Sequence, residues 1–171
     1  MKPEIKRILY TTDLSENSSF AYLYATDLAV KHDAEIIILH VHEQLSSNAR
    51  AIIDGFLTEE QREELSHRRP QVLEKIRKRL NAFCEKVQAD DPACTYRIKD
   101  IKIIEGFPAD VILEKAEEFD CDIIVMGTHG KGIIGHAFLG STAEKVVRRS
   151  KKPVLTIPLP KGETEFTIHD I

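Results

Sequence analysis

Five short runs of apolar and β-branched residues recur along the chain: Ile5–Thr12, Ala34–Val41, Arg97–Glu105, Asp122–Gly127 and Pro153–Pro158. Each has the length of a strand. The second and fourth lack polar alternation, the pattern of strands buried on both faces of a parallel sheet. Between the runs, apolar residues shift to helical spacing. Ala21, Ala25, Leu28 and Ala29 follow the first run, with Tyr24 beside them, and Asp13 or Ser15 is placed to cap that helix. Val72, Leu73, Ile76, Leu80, Phe83 and Val87 form a longer stripe before the third run, with Lys, Arg and Glu on its other faces. Pro108 opens a helix with Val111, Ile112 and Ala116 on its apolar side. Ser141 and Glu144 read as a capping box, Val146 and Val147 as core positions, and Arg148 and Arg149 as the end of the last helix.

Strand alternating with helix predicts an α/β domain with a mainly parallel sheet, right-handed crossovers and helices on both faces. Such sheets bind ligands beyond the carboxyl ends of their strands. That directs the search to Thr11–Ser15, Val41–Glu43, Gly106–Phe107 and Met126–Ser141.

Composition narrows the class. A chain of 171 residues with 42% hydrophobic and 30% charged residues is ordinary for one globular domain. A net charge of −4 gives no basic footprint for nucleic acid. No window approaches the roughly 20 apolar residues of a membrane span, and no signal peptide is read at the N-terminus. Cys84, Cys94 and Cys121 show no CxxC spacing, so neither a disulfide framework nor a zinc knuckle is expected, and a reduced cytoplasmic setting fits. The domain is expected over residues 1–160, with a tail at 161–171. The interval from the second run to the third is far longer than the others, which places an insertion at about 43–69. Its Ser46–Asp54 part reads as a loop and its Thr58–His67 part as a charged amphipathic piece. A surface insertion is the simpler reading, and a lid or an oligomer contact the alternative.

The chemistry concentrates in Gly127–Ser141, which holds five of the eight glycines. The segment begins where a strand ends and finishes where a helix begins. Backbone N–H groups aimed from such a loop, with a helix start behind them, favour phosphate. Gly130, Gly132 and Gly135 match GxGxxG, but the following strand region, Leu155-Thr156-Ile157-Pro158, lacks the carboxylate that a dinucleotide site needs for its ribose. A dinucleotide site is therefore rejected, and no phosphate-loop motif ending in Gly-Lys-Ser/Thr occurs.

The spacing Gly127-x2-Gly130-x9-Gly140-Ser141 resembles the nucleotide-binding motif of the universal stress protein family. The resemblance extends from Ile5 to Pro158. It takes in Ile8-Leu9-Tyr10-Thr11-Thr12-Asp13-Leu14-Ser15, Ile36–Val41, Gly106-x-Pro108-Ala109 and Pro153-Val154-Leu155-Thr156-Ile157. It implies an open, Rossmann-like five-stranded parallel sheet in order 3-2-1-4-5. It also implies ATP, with or without Mg²⁺ or Mn²⁺, and a homodimer formed through the last strand. By resemblance, Thr11 and Thr12 border the adenine, Val41 offers it main-chain contacts, and Asp13 meets ribose or metal. Met126, Gly127, His129 and Gly130 line ribose and phosphates, while Gly140, Ser141 and Thr142 hold the outer phosphates. Two positions depart from the family pattern: His129 stands where many members carry arginine, and Thr11 replaces a common proline or valine.

The other candidates are weaker. His40 and His42 share one side of a strand exit, and a structural role is favoured over metal ligation, which needs a third ligand. Lys131 could neutralise phosphate, and His136 reads as a loop residue. Cys121 reads as core. No catalytic residue is assigned. The leading expectation is an ATP-binding regulatory protein of the stress response, with little or no turnover and an unidentified protein partner. A slow ATPase or autophosphorylating protein, and a structural dimer without nucleotide, are the alternatives.

Overall fold

The computed structural model describes residues 4–90, 97–128 and 139–158. The elements are β1 (Arg7–Thr12), α1 (Glu16–His32), β2 (Glu35–Glu43), α2 (Ser47–Phe56), α3 (Glu59–Asp90), β3 (Arg97–Gly106), α4 (Pro108–Glu118), β4 (Ile123–Gly127), α5 (Ser141–Arg149) and β5 (Val154–Ile157). The strands form one sheet in order β3-β2-β1-β4-β5, and every pairing is parallel. The five strands therefore lie where the apolar runs place them, with ends shifted by a residue or two.

The unbroken apolar run in β2 is explained by the two cores. Successive side chains of a strand point to opposite faces. Ile36 and Ile38 join Ile8, Tyr10 and Val125 under α1 and α3, while Ile37 and Leu39 join Leu9, Ile124 and Met126 under α4 and α5. Each of these residues is 5% exposed or less, so Ile36–Leu39 has no solvent-facing side on which a polar residue would sit.

Local chemistry sets the helix ends. Ser15 caps α1, its Oγ accepting from Ser18 N at 3.3 Å. Asp33, at φ 51°, ends it in the left-handed region that a short Asp side chain tolerates. Pro108 sits in the first turn of α4, where its missing N–H costs nothing.

Three expectations are corrected. Ser46–Asp54 is not a loop: Ser46 caps α2, accepting from Ala49 N at 3.2 Å, and α2 leaves no residue buried. The Ser46-Ser47-Asn48 start looks like a loop because capping residues and turn residues are the same types. Ser141 is not the N-cap of α5; Gly140 is, without a side-chain bond, and the Glu144 side chain instead meets Arg148 at 3.4 Å. Val147 is 45% exposed, while Val146 alone of the pair is buried.

Helix α3 continues through Pro70. Beside that break in the backbone ladder, the Arg69 guanidinium binds both carboxylate oxygens of Glu105 on β3. The hydrogen bonds from Arg69 hold the Glu105 carboxyl below its ordinary value of 4.5. A lowered folded-state value means that the ionised pair stabilises the fold above about pH 4.5, and that this contribution disappears as pH falls through the lowered value. The pair is partly exposed, so its contribution is about 1 kcal/mol or less. Urea unfolding between pH 6 and about pH 3 is expected to show this pH-dependent increment in the wild type and to lack it in Glu105→Gln.

Candidate functional site

Beyond the carboxyl ends of β1, β2 and β4 lies a cleft of about 640 Å³. That volume suits a small-molecule ligand. Its floor is set by strand register: Thr11 stands opposite both Leu39 and Met126, and Thr12 opposite His40.

The β1–α1 turn is built by side chains bonding to nearby groups. Thr12 Oγ1 accepts from Leu14 N at 3.0 Å and shares a 2.9 Å hydrogen bond with Ser18 Oγ. Asp13 Oδ1 accepts from Ser15 N at 3.0 Å. Leu14 takes φ 63° and is buried, so a β-carbon is held in a conformation that costs about 1–3 kcal/mol. The Tyr10 hydroxyl donates to Ser18 O at 2.6 Å from below, and burial raises its pKa far above the ordinary value. The turn thus presents Asp13 at the cleft on a rigid support.

His40 is buried on the cleft floor, with Nδ1 2.8 Å from the Thr12 carbonyl oxygen. A carbonyl only accepts, so Nδ1 carries a proton and donates it to Thr12 O.

The β4 exit shows why glycine stands at 127. A Cβ there would lie 2.6 Å from Asn17 Oδ1. Asn17 Nδ2 in turn donates to Ile157 O at 3.0 Å, and Thr128 N donates to the same oxygen at 3.0 Å. Gly127 therefore lines the cleft and also lets α1 approach the ends of β4 and β5. Past it, Gly140 N donates to Thr128 O at 2.7 Å, joining the two ends of the glycine-rich segment. With Gly140 as N-cap and no side-chain cap among the described residues, the first turn of α5 brings Ser141, Thr142 and Ala143 to the cleft wall. The orphan N–H groups and the helix dipole make such a start favourable for an anion.

Of the residues singled out by sequence, Thr11, Thr12, Asp13, Val41, Met126, Gly127, Gly140, Ser141 and Thr142 line this one cleft. His129 and Gly130 lie outside the described residues, as do Lys131 and His136. The structure adds Ile76 and Arg79 of α3 and Pro108 and Ile112 of α4. Pro108 belongs to the Gly106-x-Pro108-Ala109 helix start, whereas Ile76 and Arg79 carry no local motif; Ile76 reads as an ordinary core position, and only the docking of α3 brings it to the site. Among the described residues no cluster of three or more His, Cys, Asp or Glu could hold a metal ion. Cys84 and Cys121 are buried free thiols, each pushed up to about 11 by desolvation, and neither lines the cleft. No helix among the described residues is long and apolar enough to cross a membrane.

A parallel sheet in order 3-2-1-4-5, covered on both faces and with a cleft at the carboxyl ends of its central strands, defines a Rossmann-like α/β protein. The model of the universal stress protein family matches residues 4–158, and the chain belongs to that family. Universal stress protein MJ0577 of Methanocaldococcus jannaschii is 31% identical over 160 residues, covering 89% of this chain and 94% of its own. A Thermus aquaticus universal stress protein is 33% identical over 153 residues, covering 89% of this chain and 98% of its own. The solved MJ0577 structure superposes with a TM-score of 0.67 at 27% identity, over 92% of this chain and 99% of that one. A universal stress protein crystallised in complex with cAMP shares the fold, with a TM-score of 0.57 at 22% identity over 91% of this chain and 98% of that one.

Gly127→Ala forces Asn17 to move and is expected to destabilise the protein by about 1–3 kcal/mol, read as a lowered urea midpoint. A midpoint equal to that of the wild type would show that Asn17 gives way freely.

Proposed function

We propose that the cleft binds an adenine nucleotide, ATP in the first instance, and that the protein is a stress-response regulator acting by binding with little or no turnover. The observation that carries this reading is the start of α5, which has no side-chain cap among the described residues and opens on the cleft. Gly140 there is tied to Thr128, so the helix start and the end of β4 border one space. Ser141 and Thr142 with Gly140 would receive the outer phosphates, and Met126 and Gly127, with His129 and Gly130, the ribose and inner phosphates. Asp13 would meet the ribose or a Mg²⁺ or Mn²⁺ brought in on the phosphates, since Mg²⁺ commonly binds through one or two carboxylates plus substrate phosphates. Thr11, Thr12 and Val41 would bound the adenine. The cAMP complex of a family member supports a nucleotide as the ligand class.

In this reading the nucleotide-bound and nucleotide-free forms differ in what they offer a protein partner. β5 is an edge strand, which supports a homodimer paired through Pro153–Pro158. A cytoplasmic setting accords with the free, buried Cys84 and Cys121.

Calorimetric titration of nucleotide-stripped protein with ATP is expected to give a micromolar Kd, about −8 kcal/mol. Absence of binding sinks the reading. Ser141→Glu provides a signature of opposite signs. A carboxylate in the first turn of α5 complements the helix dipole by about 0.3–1 kcal/mol, so stability is held or raised. The same charge repels phosphate, so ATP affinity is expected to fall at least tenfold.

A further inference from the structure

We propose that Arg79 reads the base of the bound nucleotide, laying its guanidinium on the ring face and making the cleft prefer a purine over a pyrimidine. The inference rests on the nucleotide reading above and deepens it.

Arg79 lines the cleft together with Ile76, one turn earlier on α3. Its backbone is anchored on both sides: Ile76 packs on the core beneath α1, and Leu80 is buried within it. The direction of the side chain follows from the course of α3. Arg69 pairs with Glu105 near the end of β3, whereas Arg77 donates to Ile101 O, four residues earlier on that strand, at 3.4 Å. Helix α3 therefore runs antiparallel to β3. A long helical side chain leans toward the N-terminus of its helix. For Arg79, that lean carries the guanidinium toward the carboxyl edge of the sheet, where the cleft opens.

The other wall favours the opposite end of a ligand. Ala143 and Val146 place α5 on the second face of the sheet, while Ile76 and Leu80 place α3 on the first. A nucleotide with its phosphates on the start of α5 turns its base toward the α3 side. Arg79 is the only Lys or Arg among the described residues lining the cleft, and Asp13 and Glu43 are its carboxylates. A guanidinium is planar and weakly hydrated, and it stacks on aromatic faces in a way that an ammonium does not reproduce. A purine presents the larger face.

The test titrates ATP and CTP into the nucleotide-stripped full chain of the wild type and of Arg79→Ala, Arg79→Lys and Arg79→Met. Arg79→Met keeps an apolar stem on Ile76, and matched melting temperatures identify the variants that remain folded. The wild type is expected to prefer ATP. Arg79→Ala and Arg79→Met are expected to lose about tenfold for ATP and less than twofold for CTP, and Arg79→Lys not to restore the difference. Equal losses for both nucleotides would make Arg79 a counter-charge for phosphate and overturn the inference. Full recovery by Arg79→Lys, or an ATP-to-CTP ratio unchanged in every variant, overturns it as well. Failure of the wild type to bind either nucleotide overturns the underlying nucleotide reading, and this inference with it.

Discussion

Burial of the sheet on both faces is the constraint from which the rest of this structure follows. Parallel strands need crossover helices, and those helices cover both faces. β2 shows the consequence most directly, with Ile36 and Ile38 in one core and Ile37 and Leu39 in the other. A sheet sealed in this way meets solvent only along its edges and at its strand ends. The carboxyl ends of β1, β2 and β4 are where the backbone leaves the cores, and the cleft lies there.

A small set of hydrogen bonds ties together the chain segments that border the cleft beside β4. Ile157 O accepts from both Asn17 and Thr128, and Thr128 O accepts from Gly140. Through these bonds α1, β4, β5 and α5 share one junction. Gly127 is needed because the junction is tight, and the α5 start faces the cleft because Gly140 is tied to it. One small region thus combines structural closeness with an anion-favouring helix start, and a substitution there tests packing and ligand binding separately.

Most of the fold was legible in the sequence, because strand length, apolar continuity and helical spacing are local signals. A continuous run such as Ile36-Ile37-Ile38-Leu39 fills both faces of a strand, and with its flanking polar residues it is too short for a buried helix. Of the errors, one has a local cause and two have tertiary ones. Ser46 and the residues after it have turn chemistry that equally serves a helix cap, so α2 was hidden. Ser141 has capping chemistry, but the bond from Gly140 to Thr128 sets where α5 begins and moves the cap back one residue. Val147 follows the helical pattern as well as Val146 does; only the placement of α4 and the sheet leaves one buried and the other exposed.

Neighbouring residues alone set the α/β alternation, the strands and the glycine-rich segment between β4 and α5, since each is a local pattern. What stands across the cleft from that segment was settled by long-range packing. Thr11, Val41 and Ser141 are far apart in the chain and meet only because strand order and register align their ends. Ile76 and Arg79 reach the same space because α3 docks antiparallel to β3, through Arg69 and a buried stripe. A helix pattern specifies which face is buried, but the partner that buries it is chosen by packing over long sequence separations. That is why the glycine-rich end of the cleft could be found in the sequence and the opposite wall could not.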